Sequence, residues 1–227
     1  MKFTSDLRSL AATLWQRSFD HPFVHELCAG TLPEDSFAHY VRNDAYYLRA
    51  FARVHALACA RTRDATLMSH FAHRLQTTLR AEQELHATFF ALLGISGDVS
   101  SIAPAPTAYR YATHLLTVAY DGSIAEIAAS TLPCYWLYGE IGQMHQHDKP
   151  NHPIYDRWVE AYGAPWYAKV VEEQIALVNE LAEDASEDTR TRMTEVFLTS
   201  SQYELEFWQM AYVKEDWEFD RPPLTSG

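Results

Sequence analysis

Residues 31–62 read TLPEDSFAHYVRNDAYYLRAFARVHALACART, and this stretch decides the fold class. Beyond Pro33 its apolar residues recur at steps of three and four, the period of an amphipathic helix, and nowhere alternate as in a strand. Tyr40, Asp44, Tyr47 and Phe51 are spaced four, three and four, so they share one stripe of that helix. The same period runs through the rest of the chain, which holds only eight glycines and ten prolines. It predicts an all-α protein with helices over 4–18, 22–29, 34–62, 64–93, 106–121, 123–146, 153–161, 165–184 and 187–214.

Two helix starts carry chemical punctuation. Thr31-Leu32-Pro33-Glu34 and Ser123-Ile124-Ala125-Glu126 each place a capping hydroxyl three residues before a glutamate. His21-Pro22-Phe23-Val24 and His152-Pro153-Ile154-Tyr155 echo one another, with proline where a first turn would begin. Residues 94–106, rich in Gly, Ser, Pro and Ala, are the most loop-like segment. A domain boundary there would leave each side too few helices to bury the long ones. The expectation is therefore a single-domain helical bundle over 1–220 with a tail at 221–227.

Of 227 residues, 48% are hydrophobic and 21% charged, enough apolar surface for a sizeable core, which excludes a disordered or collagen-like chain. The net charge of −12 argues against nucleic acid and anionic membranes as partners, because Arg61-Thr62-Arg63 is the longest basic stretch. Cys28, Cys59 and Cys134 form no CxxC pair, which suggests a reducing, cytoplasmic setting. The first residues lack a signal-peptide pattern, and no 18-residue window is free of strongly polar groups.

Three groups of residues could carry chemistry. In Thr131-Leu132-Pro133-Cys134-Tyr135-Trp136-Leu137-Tyr138, a proline interrupts a helical pattern. If Pro133 restarts the helix, free amides at the new N-terminus would lower the Cys134 pKa and favour a nucleophilic thiolate, with Tyr138 one turn on. The plainer alternative is a buried cysteine acting as a small hydrophobe, as for Cys28 and Cys59. Asp44, inside its aromatic stripe, could accept hydrogen bonds from an amino-heterocycle, or could pair with Arg42, Arg49 or Arg53. Glu204, one turn before Phe207, would have its pKa raised beside an aromatic surface, unless it faces solvent.

Eleven histidines invite a search for metal ligands. His145-Gln146-His147-Asp148, His70 with His73, and Glu82 with His86 are conceivable sets, but the Glu-x-x-His pairs of di-iron bundles are missing. No metal site and no cofactor is expected. Phosphate-binding loops and a Gly-x-Ser-x-Gly elbow are missing as well.

Taken together, these segments resemble the TenA family, also called thiaminase II. The resemblance rests on His21-Pro22-Phe23-Val24 with Gly30-Thr31-Leu32-Pro33, Asp44-Ala45-Tyr46-Tyr47-Leu48, Leu132 to Tyr138, His152-Pro153-Ile154-Tyr155, Ala161-Tyr162-Gly163, and Tyr203 to Trp208. It implies a haem-oxygenase-like helical fold, a homotetramer, and a hydrolase of thiamin salvage. The substrate would be thiamin or 4-amino-5-aminomethyl-2-methylpyrimidine, converted to the hydroxymethylpyrimidine. By this resemblance Cys134 is the catalytic cysteine, Glu204 the acid handling a ring nitrogen, and Asp44 the acid on the amino-pyrimidine edge. Tyr111, Tyr138 and Tyr162 would supply hydroxyls around the ring, and Tyr47 and Phe207 its aromatic walls. Gly163-Ala164-Pro165-Trp166 departs from the Gly-Gly-rich form associated with the family. Two rival readings are a metal-dependent oxidase holding iron through Glu82 and His86, and a non-enzymatic regulator, against which the acidic charge argues.

Overall fold

A computed structural model describes residues 2–81, 86–95 and 102–219. Among them are eleven helices and no strand: α1 (Phe3–Leu10), α2 (Ala12–Phe19), α3 (Pro22–Ala29), α4 (Glu34–Arg61), α5 (Ala65–Ala81), α6 (Ala87–Leu92), α7 (Pro106–Asp121), α8 (Ile124–His145), α9 (Tyr155–Gly163), α10 (Pro165–Glu183) and α11 (Glu187–Val213). The all-α reading therefore stands. The helix predicted over 4–18 divides at Ala11, whose backbone relaxes to ψ −1°. The one predicted over 64–93 is described as α5 and α6, with residues 82–85 outside the described residues. Residues 96–101 of the 94–106 loop and the whole 221–227 tail also lie outside them.

The two expected caps part company. At Ser123 the capping box is complete: its hydroxyl accepts from the Glu126 amide at 3.3 Å, and the Glu126 carboxylate accepts from the Ser123 amide at 3.3 Å. At α4 the position is right and the chemistry is not. Pro33 occupies the cap with no side-chain bond, while the Thr31 hydroxyl donates to the Glu26 carbonyl at 3.5 Å. Pro33 sets an extended entry that a serine or threonine cap would otherwise set. His21 does cap α3, its Nδ1 accepting from the Phe23 amide at 3.1 Å.

Helix α8 is the axis of the molecule. It is buried on almost every side and packs against α11, α10, α9 and α7. It runs through Pro133 without interruption, as the single helix predicted over 123–146, so the alternative of a restart there does not hold. A proline there withdraws one amide from the ladder, and the hydroxyls of Ser130 and Thr131 bond back to the Ile127 carbonyl at 2.9 and 3.1 Å. Helix α11 lies against α8, α4, α7 and α2. Its Trp208 stacks on Tyr40 and Phe23 at centroid distances of 5.8 and 5.5 Å, and Ser201 accepts from the Trp15 indole at 3.0 Å.

Gly142 permits the closest helix contact that matters for the site. A Cβ at that position would stand 2.1 Å from the Tyr162 carbonyl oxygen, so only glycine lets the C-terminal end of α9 rest on α8. Ala164 then runs extended and Pro165 opens α10. The segment 163–166 that lacks a second glycine is thus a short helix-to-helix corner.

Candidate functional site

Helices α4 to α11 line one cavity of about 490 Å³, within the range of roughly 300–1,000 Å³ usual for small-molecule sites, and five of them supply the residues expected from the sequence. Helix α4 contributes Asp44 and Tyr47, α7 Tyr111, α8 Cys134 and Tyr138, α9 Tyr162, and α11 Glu204 and Phe207. All eight residues singled out from the sequence line this cavity. Their convergence follows from helical period: Asp44 and Tyr47, Cys134 and Tyr138, and Glu204 and Phe207 are each one turn apart, so each helix presents a pair.

The walls are aromatic. Tyr47 packs on Tyr111 at 4.8 Å between centroids and meets Phe207 edge-on at 5.9 Å. Tyr138 lies 4.9 Å from Tyr162, and its hydroxyl is 3.3 Å from that of Tyr40. Between the rings sit two carboxyls and one thiol. Asp44 is 8% exposed and Glu204 2% exposed, so each needs a partner.

Asp44 takes its partner from outside its own helix. His86 Nε2 stands 2.8 Å from Asp44 Oδ2, which replaces the arginine pairing that local sequence allowed. With the carboxylate accepting, Nε2 is the protonated ring nitrogen. His86 is therefore engaged by Asp44, and its suggested metal partner Glu82 lies outside the described residues.

Glu204 accepts a 2.6 Å hydrogen bond from the Tyr111 hydroxyl. Burial nonetheless pushes its pKa up to about 8; the tyrosine opposes that shift and the Asp44 charge adds to it. The carboxyl accordingly carries a proton at neutral pH, as its place beside Phe207 suggested. For Cys134 the condition for a lowered pKa, a helix restart at Pro133, is not met. Its position in the middle of an unbroken helix gives it no free amides, and burial drives its thiol well above the ordinary range. The Glu204 and Asp44 charges push the same way, and the Tyr47 hydroxyl pulls against them.

Behind Cys134, Tyr135 and His55 form a buried pair at 3.0 Å that sequence inspection missed, since 80 residues separate them. Burial, reinforced by Arg74 and His70, lowers the His55 pKa to about 3 and keeps its ring neutral. Elsewhere, His145 and Asp148 lie with Cys28 so that their ligand atoms fall within 4.8 Å of one another, whereas His147 is outside the group. His145 Nδ1 is 2.6 Å from Asp148 Oδ2.

The family model described as "TENA/THI-4/PQQC family" matches residues 9–214. The chain belongs to this family. A Bacillus subtilis protein named aminopyrimidine aminohydrolase is 46% identical over 218 residues, covering 96% of this chain and 92% of that one. A TenA homologue from P. horikoshii OT3 superposes with a TM-score of 0.86 at 28% identity, covering 94% of this chain and 99% of the other. A Shewanella denitrificans domain described as having a heme oxygenase-like fold superposes with a TM-score of 0.72 at 18% identity, covering 93% and 92%. The fold class implied by the sequence resemblance is thereby that of this chain.

Proposed function

We propose that this TenA-family chain is an aminopyrimidine aminohydrolase, a hydrolase that replaces the amine on a pyrimidine's exocyclic methylene by hydroxyl and acts likewise on thiamin. The observation that carries the reading is the meeting of Cys134, a protonated Glu204 and a His86-held Asp44 in one aromatic cavity. The 46% identity to the Bacillus subtilis aminopyrimidine aminohydrolase over nearly the whole chain supports it.

Direct displacement at that methylene is slow while the ring is aromatic, so the ring must first be interrupted. In our scheme the Cys134 sulfur adds to a ring carbon and the electron pair moves onto a ring nitrogen, which takes the proton of Glu204. The raised thiol pKa requires the sulfur to lose its proton as it attacks, and the emptied Glu204 carboxylate is the base that accepts it. The nitrogen lone pair then expels the leaving group, the protonated amine departing as ammonia or the thiazolium of thiamin as neutral thiazole, and an exocyclic methylene remains. Water adds there and loses a proton to the released base; the ring nitrogen then returns its proton through Glu204 to the departing sulfur, and the ring is aromatic again. Asp44 accepts from the amino group and so fixes that edge of the ring. Tyr111, Tyr138 and Tyr162 supply oriented hydroxyls, while Tyr47 and Phe207 hold the ring plane. The scheme calls on no cofactor.

The remaining assignments belong to the same reading: residues 1–220 as a single domain, a homotetramer, and a cytoplasmic setting. Among the described residues no helix is long and apolar enough to cross a membrane. The test is release of hydroxymethylpyrimidine from thiamin and, separately, from the aminomethylpyrimidine, by the wild type and by Cys134→Ala. Turnover abolished by the substitution supports the hydrolase; near-normal turnover removes Cys134 as nucleophile, and none from either substrate removes the activity.

A further inference from the structure

The cavity is longer than its catalytic end requires. From Tyr138, 5% exposed at the floor, an aromatic wall continues through Tyr162 and Tyr167 to Trp166, 55% exposed at the mouth. Successive ring centroids along it are 4.9, 5.0 and 5.5 Å apart. Asp44, Cys134 and Glu204 line the catalytic part. The exposed Arg80 of α5 and Arg157 of α9 line the same cavity, and neither has an ion-pair partner among the described residues. In a chain with 18 cationic against 30 acidic residues, two guanidiniums on one cavity without an ion-pair partner among the described residues are a local concentration of positive charge.

We propose that the mouth is a subsite for the leaving group, and that it selects pyrimidines whose leaving group is a cationic ring ending in a phosphate ester. This rests on the hydrolase reading above. Each part of such a substrate meets a complementary surface. The pyrimidine occupies the aromatic floor, the cationic ring lies against the face of Trp166, and the phosphate reaches Arg80 and Arg157. Indole is the strongest side-chain partner for a ring cation, and guanidinium offers paired donors that match phosphate oxygens. An amine leaving group would touch none of the three residues.

The probes are the aminomethylpyrimidine, thiamin and thiamin monophosphate, presented to the wild type, to Arg80→Ala/Arg157→Ala and to Trp166→Ala. In the wild type, kcat/KM for the monophosphate should exceed that for thiamin by about tenfold, as expected for charge-assisted hydrogen bonds. That ratio should fall to about one in the double arginine variant and shrink with added salt. Trp166→Ala should weaken both thiamin forms alike. Turnover of the aminomethylpyrimidine should be unchanged in every variant, which also reports that they fold. A wild-type ratio of one or less, or a ratio that survives loss of both arginines, overturns the subsite. Calorimetric binding of the two thiamin forms to Cys134→Ser tests the same preference without turnover. Loss of aminomethylpyrimidine hydrolysis in the wild type would instead strike the hydrolase reading.

Discussion

A carboxyl screened from water holds its proton to higher pH, and at Glu204 this bears on stability and, in the proposed scheme, on turnover. Its folded pKa near 8 lies above the ordinary 4.5, so between those values the folded chain binds a proton that the unfolded chain has lost. The stabilising contribution is complete below the unfolded value and disappears as pH rises through about 8. In the proposed scheme wild-type activity should hold through that window and fall only as pH rises through about 8, where the folded carboxyl loses its proton. Glu204→Gln keeps the shape without the titration: its kcat should drop about 100-fold, while its Tm should decline less than that of the wild type from about pH 6 to about pH 9. Parallel Tm profiles for the two proteins would exclude Glu204 as the titrating group. If Asp44 holds the substrate as proposed, His86, 2.8 Å from its carboxylate, would act as a positioning residue. His86→Ala should raise KM about tenfold with a smaller effect on kcat, and His86→Gln, which can still donate, should recover part of the loss; steady-state kinetics separates these outcomes.

At the scale of helices, close contact between α8 and α9 decides where Tyr162 stands. Gly142→Ala would drive a Cβ to 2.1 Å from a backbone oxygen that cannot swing away. Denaturant unfolding should show a loss of about 1–3 kcal/mol, accompanied by lower turnover as Tyr162 shifts. An unchanged midpoint with full activity would mean that α9 slides freely. The elements also show what sequence could convey. Helical period exposed the pairs at 44 and 47, 134 and 138, and 204 and 207, because each pair lies within one turn. It could not expose His86, 42 residues from its partner Asp44, or the Tyr135 contact with His55, since neither leaves a local pattern. Which of the two directions open to the Cys134 pKa would hold was not legible for a related reason. A proline signals a missing amide, but whether a helix bends or continues depends on its surroundings, and α8 is wrapped on nearly every side.

Across the whole molecule, charge and packing set the behaviour. The −12 charge opposes phosphate backbones, so no retention on duplex DNA should be seen even at low salt, and salt-dependent binding would revive the regulator reading. If the proposed homotetramer is the folded unit, thermal scans should give one transition whose midpoint rises with protein concentration. Two transitions, or a midpoint independent of concentration, would count against it. Finally, α11 threads against α8, α4 and α7 while supplying both Glu204 and Phe207. During synthesis the chain emerges from its N-terminus, so the thiol and Asp44 are made long before the proton donor. A nascent or prematurely terminated chain that lacks α11 would display the thiol in an open trough, without the acid to complete the chemistry. If Glu204 is the proton donor as proposed, translation of this protein should have no partly active stage, and competence should arrive only when α11 docks.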